Sequence, residues 1–315
     1  MDTILSLGVA PALQRTMVFE SFVPGAVNRA KSVVFSAAGK AVNVGLALAT
    51  LGNEPVVTGF NGGSTGRMVA DDLASHGVRT AFCRTKAPTR ICTTVLDLSK
   101  GGEATELVEE APEPDEAAWR RFATVNLREL ARARLLVISG TLPPGVQDDL
   151  HARFARAAEE RGVPLVIDSN RGGILATLPF HPLVAKMNLH ELRLTFGDAC
   201  TTEKTTLDSA ARLTRGGATW AFITNGADPG WLLAADGRAW RVIPARLDTV
   251  VNPIGSGDSA TAGLADAWLR GHPMPSVARF ATACGSANAL NLRPADFTLE
   301  QVRRLTRLTK VEPIR

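Results

Sequence analysis

The chain contains no tyrosine, and aromatic residues make up only 5% of its 315 positions. A nucleic-acid surface usually clusters basic residues and interleaves aromatics among them. Here the net charge is +4, but nowhere do five like charges run together. Nucleic acid is therefore not the expected partner, and the modest basic excess suits small anionic substrates. The four cysteines (Cys83, Cys92, Cys200, Cys284) lack C-x-x-C spacing, which excludes a disulfide framework and a zinc site and is expected of reduced thiols in a cytoplasmic protein. The apolar opening "MDTILSLGVAPALQ" follows an acid, has no basic region before it and is too short to span a bilayer. Neither a signal peptide nor a membrane segment is expected. G-x-x-x-x-G-K-[ST] is missing, since "SAAGKAVN" puts Ala41 after the lysine, and no G-x-G-x-x-G follows the strand at 3–8. P-loop and dinucleotide-binding folds have no support.

What is present is an interleaving of two kinds of segment. Unbroken apolar runs, "LLVISG" (135–140), "PLVIDS" (164–169), "LVAKMN" (183–188) and "WAFITNG" (220–226), are interspersed with amphipathic helical runs such as "HARFARAAEERG" (151–162) and "TTLDSAARLTRGG" (205–217). Strands buried on both faces read this way, so the pattern predicts an α/β fold, a mainly parallel sheet sandwiched by helices. In the first third, "QRTMVFE" (14–20), "NRAKSVVFS" (28–36), "TRICTTVLDLS" (89–99) and "EATELVEE" (103–110) are β-branched and partly alternating. Alternation predicts a small sheet with one free face. The helix "AGKAVNVGLALATLG" (38–52) returns the chain to the main body, and an acidic, proline-containing linker precedes a helix from about Pro114. The expectation is one domain over 1–315, with lid strands inserted at about 12–36 and 88–110. The free face of that small sheet needs a cover: a ligand, a partner subunit, or both.

The chemistry concentrates in "VVNPIGSGDSATAGLADAWLRG" (250–271). Asp258 stands where a glycine turn enters a helix, and a helix cap is the ordinary reason for an acid there. The second reading is chemical. Gly255, Ser256 and Gly257 leave backbone N–H groups bare, which makes an anion site. A carboxylate beside an anion site repels its ligand unless it has a task, and accepting the proton of a hydroxyl that attacks a phosphoryl group is such a task. "NGGSTG" (61–66) ahead of another helix is read as a connection.

"NPIGSGDSATAG" resembles the C-terminal signature of the phosphofructokinase B family of ribokinase-like sugar kinases, nearest to its 1-phosphofructokinase and tagatose-6-phosphate kinase branch. The likeness extends in family order through "VNRA" (27–30), "AGKAVNV" (38–44), "TRI" (89–91), "SGTLPPGV" (139–146), "VIDS" (166–169), "NLHEL" (188–192) and "TNGADPG" (224–230). The resemblance implies a three-layer α/β/α ribokinase-like fold with a β-sheet lid, ATP and Mg²⁺ as cofactors, and a homodimer joined through the lids. It implies that Asp258 is the catalytic base, with Gly255, Ser256 and Gly257 as the anion hole. Asn188 and Glu191 match the N-x-x-E that holds Mg²⁺ through water; alone, Glu191 reads as a solvated helix charge. Lys186, Asn188, Thr224, Gly226 and Gly230 fall where the nucleotide is held, and Asn288 in "ACGSANA" borders the adenine. On the acceptor side Gly39, Lys40 and Asn43 match the sugar loop. Arg29 and Arg90 match basic lid positions that bind the phosphate of a sugar phosphate, unless they are exposed arginines on strand edges.

The chain also departs from the pattern. Ala10 and Gln14 replace the Asn and Asp of N-P-A-x-D, and Gln14 cannot make the charge-assisted bonds an acid makes to a hydroxyl pair. Ala38 and Ala41 replace loop glycines and narrow the room for a ligand. The reading is an ATP-dependent kinase of a small sugar phosphate, of the fructose 1-phosphate or tagatose 6-phosphate type. Two alternatives stand beside it, a kinase of an unphosphorylated sugar or nucleoside and a catalytically silent binding protein.

Overall fold

In the computed structural model, which describes residues 3–142 and 149–314, the apolar runs are strands and the amphipathic runs cover them. The order is β1 (Thr3–Leu7), β2 (Ala12–Phe19), β3 (Ser32–Ala38), α1 (Lys40–Thr50), β4 (Glu54–Asn61), α2 (Gly63–Ser75), β5 (Arg79–Arg84), β6 (Ile91–Asp97), β7 (Glu103–Val108), α3 (Glu116–Leu130) and β8 (Ala133–Ser139). Then follow α4 (Asp149–Glu159), β9 (Leu165–Asp168), α5 (Arg171–Leu175), β10 (Val184–Asn188), α6 (Leu189–Phe196), α7 (Glu203–Arg215), β11 (Trp220–Asn225), β12 (Asp228–Ala234), β13 (Ala239–Ile243), α8 (Ser256–Leu269), α9 (Met274–Asn288), α10 (Leu299–Leu308) and β14 (Lys310–Pro313). Residues 143–146 of "SGTLPPGV" lie outside the described residues.

Among the described residues the large sheet has ten strands in the order β14-β13-β12-β11-β10-β9-β8-β1-β4-β5. From β11 to β5 all pairings are parallel, and β12, β13 and β14 extend one side antiparallel. Leu135, Val137, Val166, Val184 and Phe222 bury against one helical layer, while Leu136, Ile138, Ile167, Ala185 and Ile223 bury against the other. Two covered faces explain why these strands read as continuous apolar runs. The strand order reverses beside β1, which has β4 on one side and β8 on the other. In open α/β sheets ligands bind at such a reversal, at the carboxyl ends of the strands.

The predicted small sheet is present as β3-β2-β6-β7. Its registers, Gln14↔Ser36, Gln14↔Cys92, Cys92↔Val108 and Thr94↔Glu106, set Gln14, Cys92, Thr94, Glu106 and Val108 on one face. Met17, Val33, Phe35 and Leu107 lie on the other, where Val33, Phe35 and Leu107 are exposed. β3 begins later than the sequence suggests. Asn28 folds back onto Val23, accepting from its N–H at 2.9 Å and donating to its carbonyl at 2.8 Å, so residues 23–28 form a closed loop. All four cysteines are buried and free. No helix of the described residues is long and apolar enough to cross a membrane.

α8 and α9 pack with backbones close together. A Cβ on Gly263 would fall 2.6 Å from Cys284 Sγ and 3.1 Å from Ala281 Cα. Overpacking a site of this kind costs about 1–3 kcal/mol. Gly263→Val is accordingly expected to lower the urea midpoint by that equivalent without changing the slope of the transition.

Candidate active site

A cavity of about 540 Å³ opens at the strand reversal, within the size range of small-molecule sites. Its walls are the β1–β2 connection, the start of α1, the ends of β8, β9 and β10, the turn before α8, and the inner face of the small sheet. Of the residues singled out in the sequence, Gln14, Gly39, Lys40, Asn43, Arg90, Lys186, Asn188, Glu191, Thr224, Gly255, Ser256, Gly257 and Asp258 all line it.

Asp258 is not a cap. The N-cap of α8 is Gly255, at φ +82, and no side chain caps the helix. Only glycine fits there, because a Cβ would also stand 2.9 Å from Pro294 Cβ. The Ser256 N–H donates to Pro253 O at 3.2 Å, which leaves the N–H groups of Gly257 and Asp258 in the first turn without an intrahelical acceptor, on residues that line the cavity. Asp258, in that first turn, is 6% exposed, and its Oδ2 accepts a 2.7 Å hydrogen bond from Asn43 Nδ2 on α1. Burial pushes its carboxyl up to about 7, with Asp168 adding to the rise and Lys40 and Asn43 opposing it. An acid poised near neutrality is matched to general-base work.

Two lysines and two further acids surround it. Lys186, 2% exposed, donates to Asp168 Oδ2 at 2.8 Å, and Thr261 Oγ1, one turn along α8, donates to the same oxygen at 2.7 Å. Lys40 Nζ donates to Glu191 Oε1 at 2.9 Å and stands 4.0 Å from Asp168 Oδ1. Despite its desolvation, Lys40 is held above the ordinary lysine value by Asp168, Glu191 and Asp258. Asp168 is likewise held below its ordinary value, since Lys186 and Lys40 overcome the effect of burial. The N-x-x-E spacing is a capping box: Asn188 Oδ1 accepts from Glu191 N at 2.8 Å, and Glu191 Oε2 accepts from Asn188 N at 2.9 Å. Glu191 is thereby buried at 9% exposure and aimed at the cavity rather than solvated.

The acceptor side is rich in polar atoms without partners. Six buried side-chain polar atoms are unbonded among the described residues, and four of them, Asn43 Oδ1, Thr58 Oγ1, Arg90 Nε and Ser139 Oγ, belong to residues that line the cavity. Buried polar groups are normally satisfied, so this wall is built for a ligand. Gln14 Nε2 donates to Thr94 Oγ1 at 2.7 Å. Ala38 and Ala41 also line the cavity, where their methyl groups take up space.

Four expectations are corrected. Arg29 is exposed, in the segment before β3, and lies outside the cavity. Asn288 is fully buried and outside the cavity lining; it donates to Ile254 O and Ser256 Oγ and accepts from Ala295 N and Ser259 Oγ, so it clamps the α8 turn. Gly230 is required by strand packing, because a Cβ there would meet Ile223 O at 2.4 Å. Gly226, at φ +61, forms the exposed turn between β11 and β12, outside the cavity lining. Asp168, Thr58, Ser139 and Glu106 line the cavity and were given no role from sequence. Asp168 and Ser139 are the last residues of β9 and β8, so a rule of polar residues closing apolar strands would have found them.

Comparison with known proteins agrees with this fold. The family model described as pfkB family carbohydrate kinase matches residues 3–298. The structure described as "Possible 1-phosphofructokinase" from Thermotoga maritima superposes with a TM-score of 0.91 at 22% identity, covering 99% of this chain and 100% of its own. The tetrameric inhibited form of phosphofructokinase-2 from Escherichia coli gives 0.86 at 24% identity, covering 98% and 99%. The same enzyme in complex with fructose-6-phosphate gives 0.85 at 23%, covering 97% and 98%.

The raised carboxyl of Asp258 sets two pH dependences. Because the group must be ionised to accept a proton, kcat/KM is expected to fall as pH drops through about 7, approaching tenfold per pH unit. Because the folded value lies above the ordinary aspartate value of 3.8, stability falls as pH rises from about 3.8 to about 7. Asp258→Asn removes that loss. The variant should melt higher than the parent at pH 8, match it at pH 3.5, and lose about 10²–10⁴-fold in turnover while still binding nucleotide.

Proposed function

Since the chain belongs to the pfkB family of carbohydrate kinases and is a sugar kinase, we propose that it phosphorylates a hydroxyl of a small sugar phosphate, of the fructose 1-phosphate or tagatose 6-phosphate type. The observation that carries the reading is Asp258, buried, held by Asn43 and standing in the first turn of α8. Asp258 aligns the acceptor hydroxyl and takes its proton as the acceptor oxygen bonds to the γ-phosphorus and the bond from that phosphorus to the β-phosphate oxygen breaks, leaving ADP. Of the Gly255–Ser256–Gly257 turn, the N–H groups of Gly255 and Gly257 receive the charge that develops on the transferred group, while that of Ser256 is held by Pro253 O and shapes the turn. Lys186 lies directly behind the turn, its Nζ 3.7 Å from where a Gly257 Cβ would be, and adds positive potential there.

Carbohydrate kinases of this family use ATP, typically with Mg²⁺. The donor set fits a magnesium held through water: Glu191 and Asp168 present carboxylates to the cavity, and no cluster of three or more His, Cys, Asp or Glu forms a closed cage among the described residues. Glu191, seated by Asn188, would hold the ion, which when bound neutralises phosphate charge. Thr224 continues this wall on the nucleotide side. The small sheet serves as a lid on the same functional unit.

Support for a phosphorylated acceptor comes from Arg90. Its Nη2 and Nη1 donate to Ala10 O and Glu109 O, which fixes the guanidinium at the cavity wall with Nε unpaired. A free sugar is the second reading, favoured by the position of Arg29 outside the cavity. The exposed apolar face bearing Val33, Phe35 and Leu107 supports a homodimer through the lids.

A panel of hexose phosphates and free sugars with Mg²⁺ and ATP, read by ADP release, tests the acceptor. Turnover of a sugar phosphate is expected, with Arg90→Met raising its KM about tenfold or more and leaving the KM of ATP unchanged. Turnover of free sugars alone would overturn the phosphorylated acceptor. By light scattering the parent should be dimeric at micromolar concentration and Phe35→Asp monomeric.

A further inference from the structure

Three of the four acids that line the cavity are engaged. Asp168 is bonded by Lys186 and Thr261, Glu191 by Lys40 and Asn188, and Asp258 by Asn43. The fourth, Glu106, has no ion pair or hydrogen bond to its side chain among the described residues. It stands in β7 opposite Thr94, on the lid face that carries Gln14 and Cys92 toward the cavity. The residue is exposed, and the partial loss of water beside the lid pushes its carboxyl above the ordinary glutamate value, with no cation to offset the rise. Next to it, Gln14 Nε2 is engaged by Thr94 Oγ1. The position where the resembling family carries an acid for sugar hydroxyls is neutral in this chain.

We propose that Glu106 is the specificity-determining carboxylate for the acceptor, accepting hydrogen bonds from a pair of sugar hydroxyls across the lid from Gln14. The inference rests on the sugar-kinase reading above. A carboxylate accepts from two donors at once and bonds more strongly than a neutral amide. Glu106 is exposed at the mouth of the cavity, where water takes its hydrogen bonds, and a hydroxyl-rich molecule that enters replaces that water with two donors held in fixed positions. The opposite wall is complementary, because Thr58 Oγ1 and Ser139 Oγ are also unbonded and face the same space. The acceptor is thus placed between a charged lid residue and neutral hydroxyls of the sheet, with its anionic group left to Arg90. Moving the acid from β2 to β7 shifts the hydroxyl pair that is recognised, so this chain prefers a different stereochemistry from that read by an acid at position 14.

The test compares Glu106→Gln, Glu106→Asp and Gln14→Asp with the parent, using fructose 1-phosphate, fructose 6-phosphate, tagatose 6-phosphate and free fructose as probes. Two readouts are taken: steady-state kinetics with ATP, and calorimetric binding of each sugar in the presence of a non-hydrolysable ATP analogue. Glu106→Gln is expected to raise the acceptor KM and Kd about 10- to 100-fold with kcat within about threefold, an unchanged KM for ATP and an unchanged melting temperature. Glu106→Asp should restore part of the loss, and Gln14→Asp should change the order of preference among the probes. Binding unaltered in Glu106→Gln, the result for a side chain that only solvates an edge strand, overturns the inference. So does tighter binding, the result for a carboxylate that merely repels phosphate. If the parent binds none of the probes, the proposed acceptor class falls and this inference with it. If the parent binds them and Glu106→Gln binds them equally, only the role of Glu106 falls.

Discussion

Two ammonium groups and three carboxylates share the floor of one cavity, and most of the site follows from that imbalance. Lys186 is matched by Asp168 and Lys40 by Glu191, with Asp168 close enough to Lys40 to bind both lysines into one network. Asp258 is the acid left over. Buried beside an anion turn and short of a cation of its own, it gives up its charge most easily, and its carboxyl rises to about 7. The same network ties the ends of β9 and β10 to the starts of α1, α6 and α8. Breaking a buried pair in such a network costs about 3–5 kcal/mol, so the groups that tune the base also hold the edge of the sheet together.

The parallel sheet explains why these groups meet. Strands that run in one direction end on one edge, and the helices that follow them begin there. α6 starts directly after β10, and α1 and α8 start at the same cavity. Three helix N-termini converge, which favours anions and raises the cost of lysines unless acids accompany them. Asp168 and Glu191 are those acids, and Asn188 and Gly255 end the preceding segments so that the helices point inward. The small sheet closes the space from the opposite side with a chemically different wall of Gln14, Cys92, Glu106 and Val108.

The parallel strands were readable because burial on both faces leaves unbroken apolar runs, as in "LLVI" and "PLVI". The lid strands were readable because one face alternates. The antiparallel extension of β12, β13 and β14 was not. Its first strand, "DPGWLLA", opens with Asp-Pro-Gly, which reads as a turn, yet Asp228 already pairs with Asn225 of β11, and the register shifts across Pro229 and Gly230 before Trp231 pairs with Ile223. Gly230 belongs to this case: it looked like part of a nucleotide loop, but Ile223 O occupies the space a side chain would need. Asn288 was misplaced for a related reason. An amide inside an alanine-rich helix carries no sign of where its four hydrogen bonds go, and here they all go to the turn at Ile254–Ser256, to Ser259 and to Ala295.

The sequence by itself determined that a glycine turn would deliver Asp258 to the head of a helix, because positive φ at Gly255 and an acid three residues later are local matters. It also determined the strand–helix alternation and the free-faced small sheet, which depend only on the period of apolar residues. Tertiary structure alone decided what Asp258 is. Its partner Asn43 lies 215 residues away, its burial comes from several elements, and its proton affinity is set by lysines and acids on other helices and strands. Solvation and Coulomb fields act through space, and no spacing along the chain encodes them.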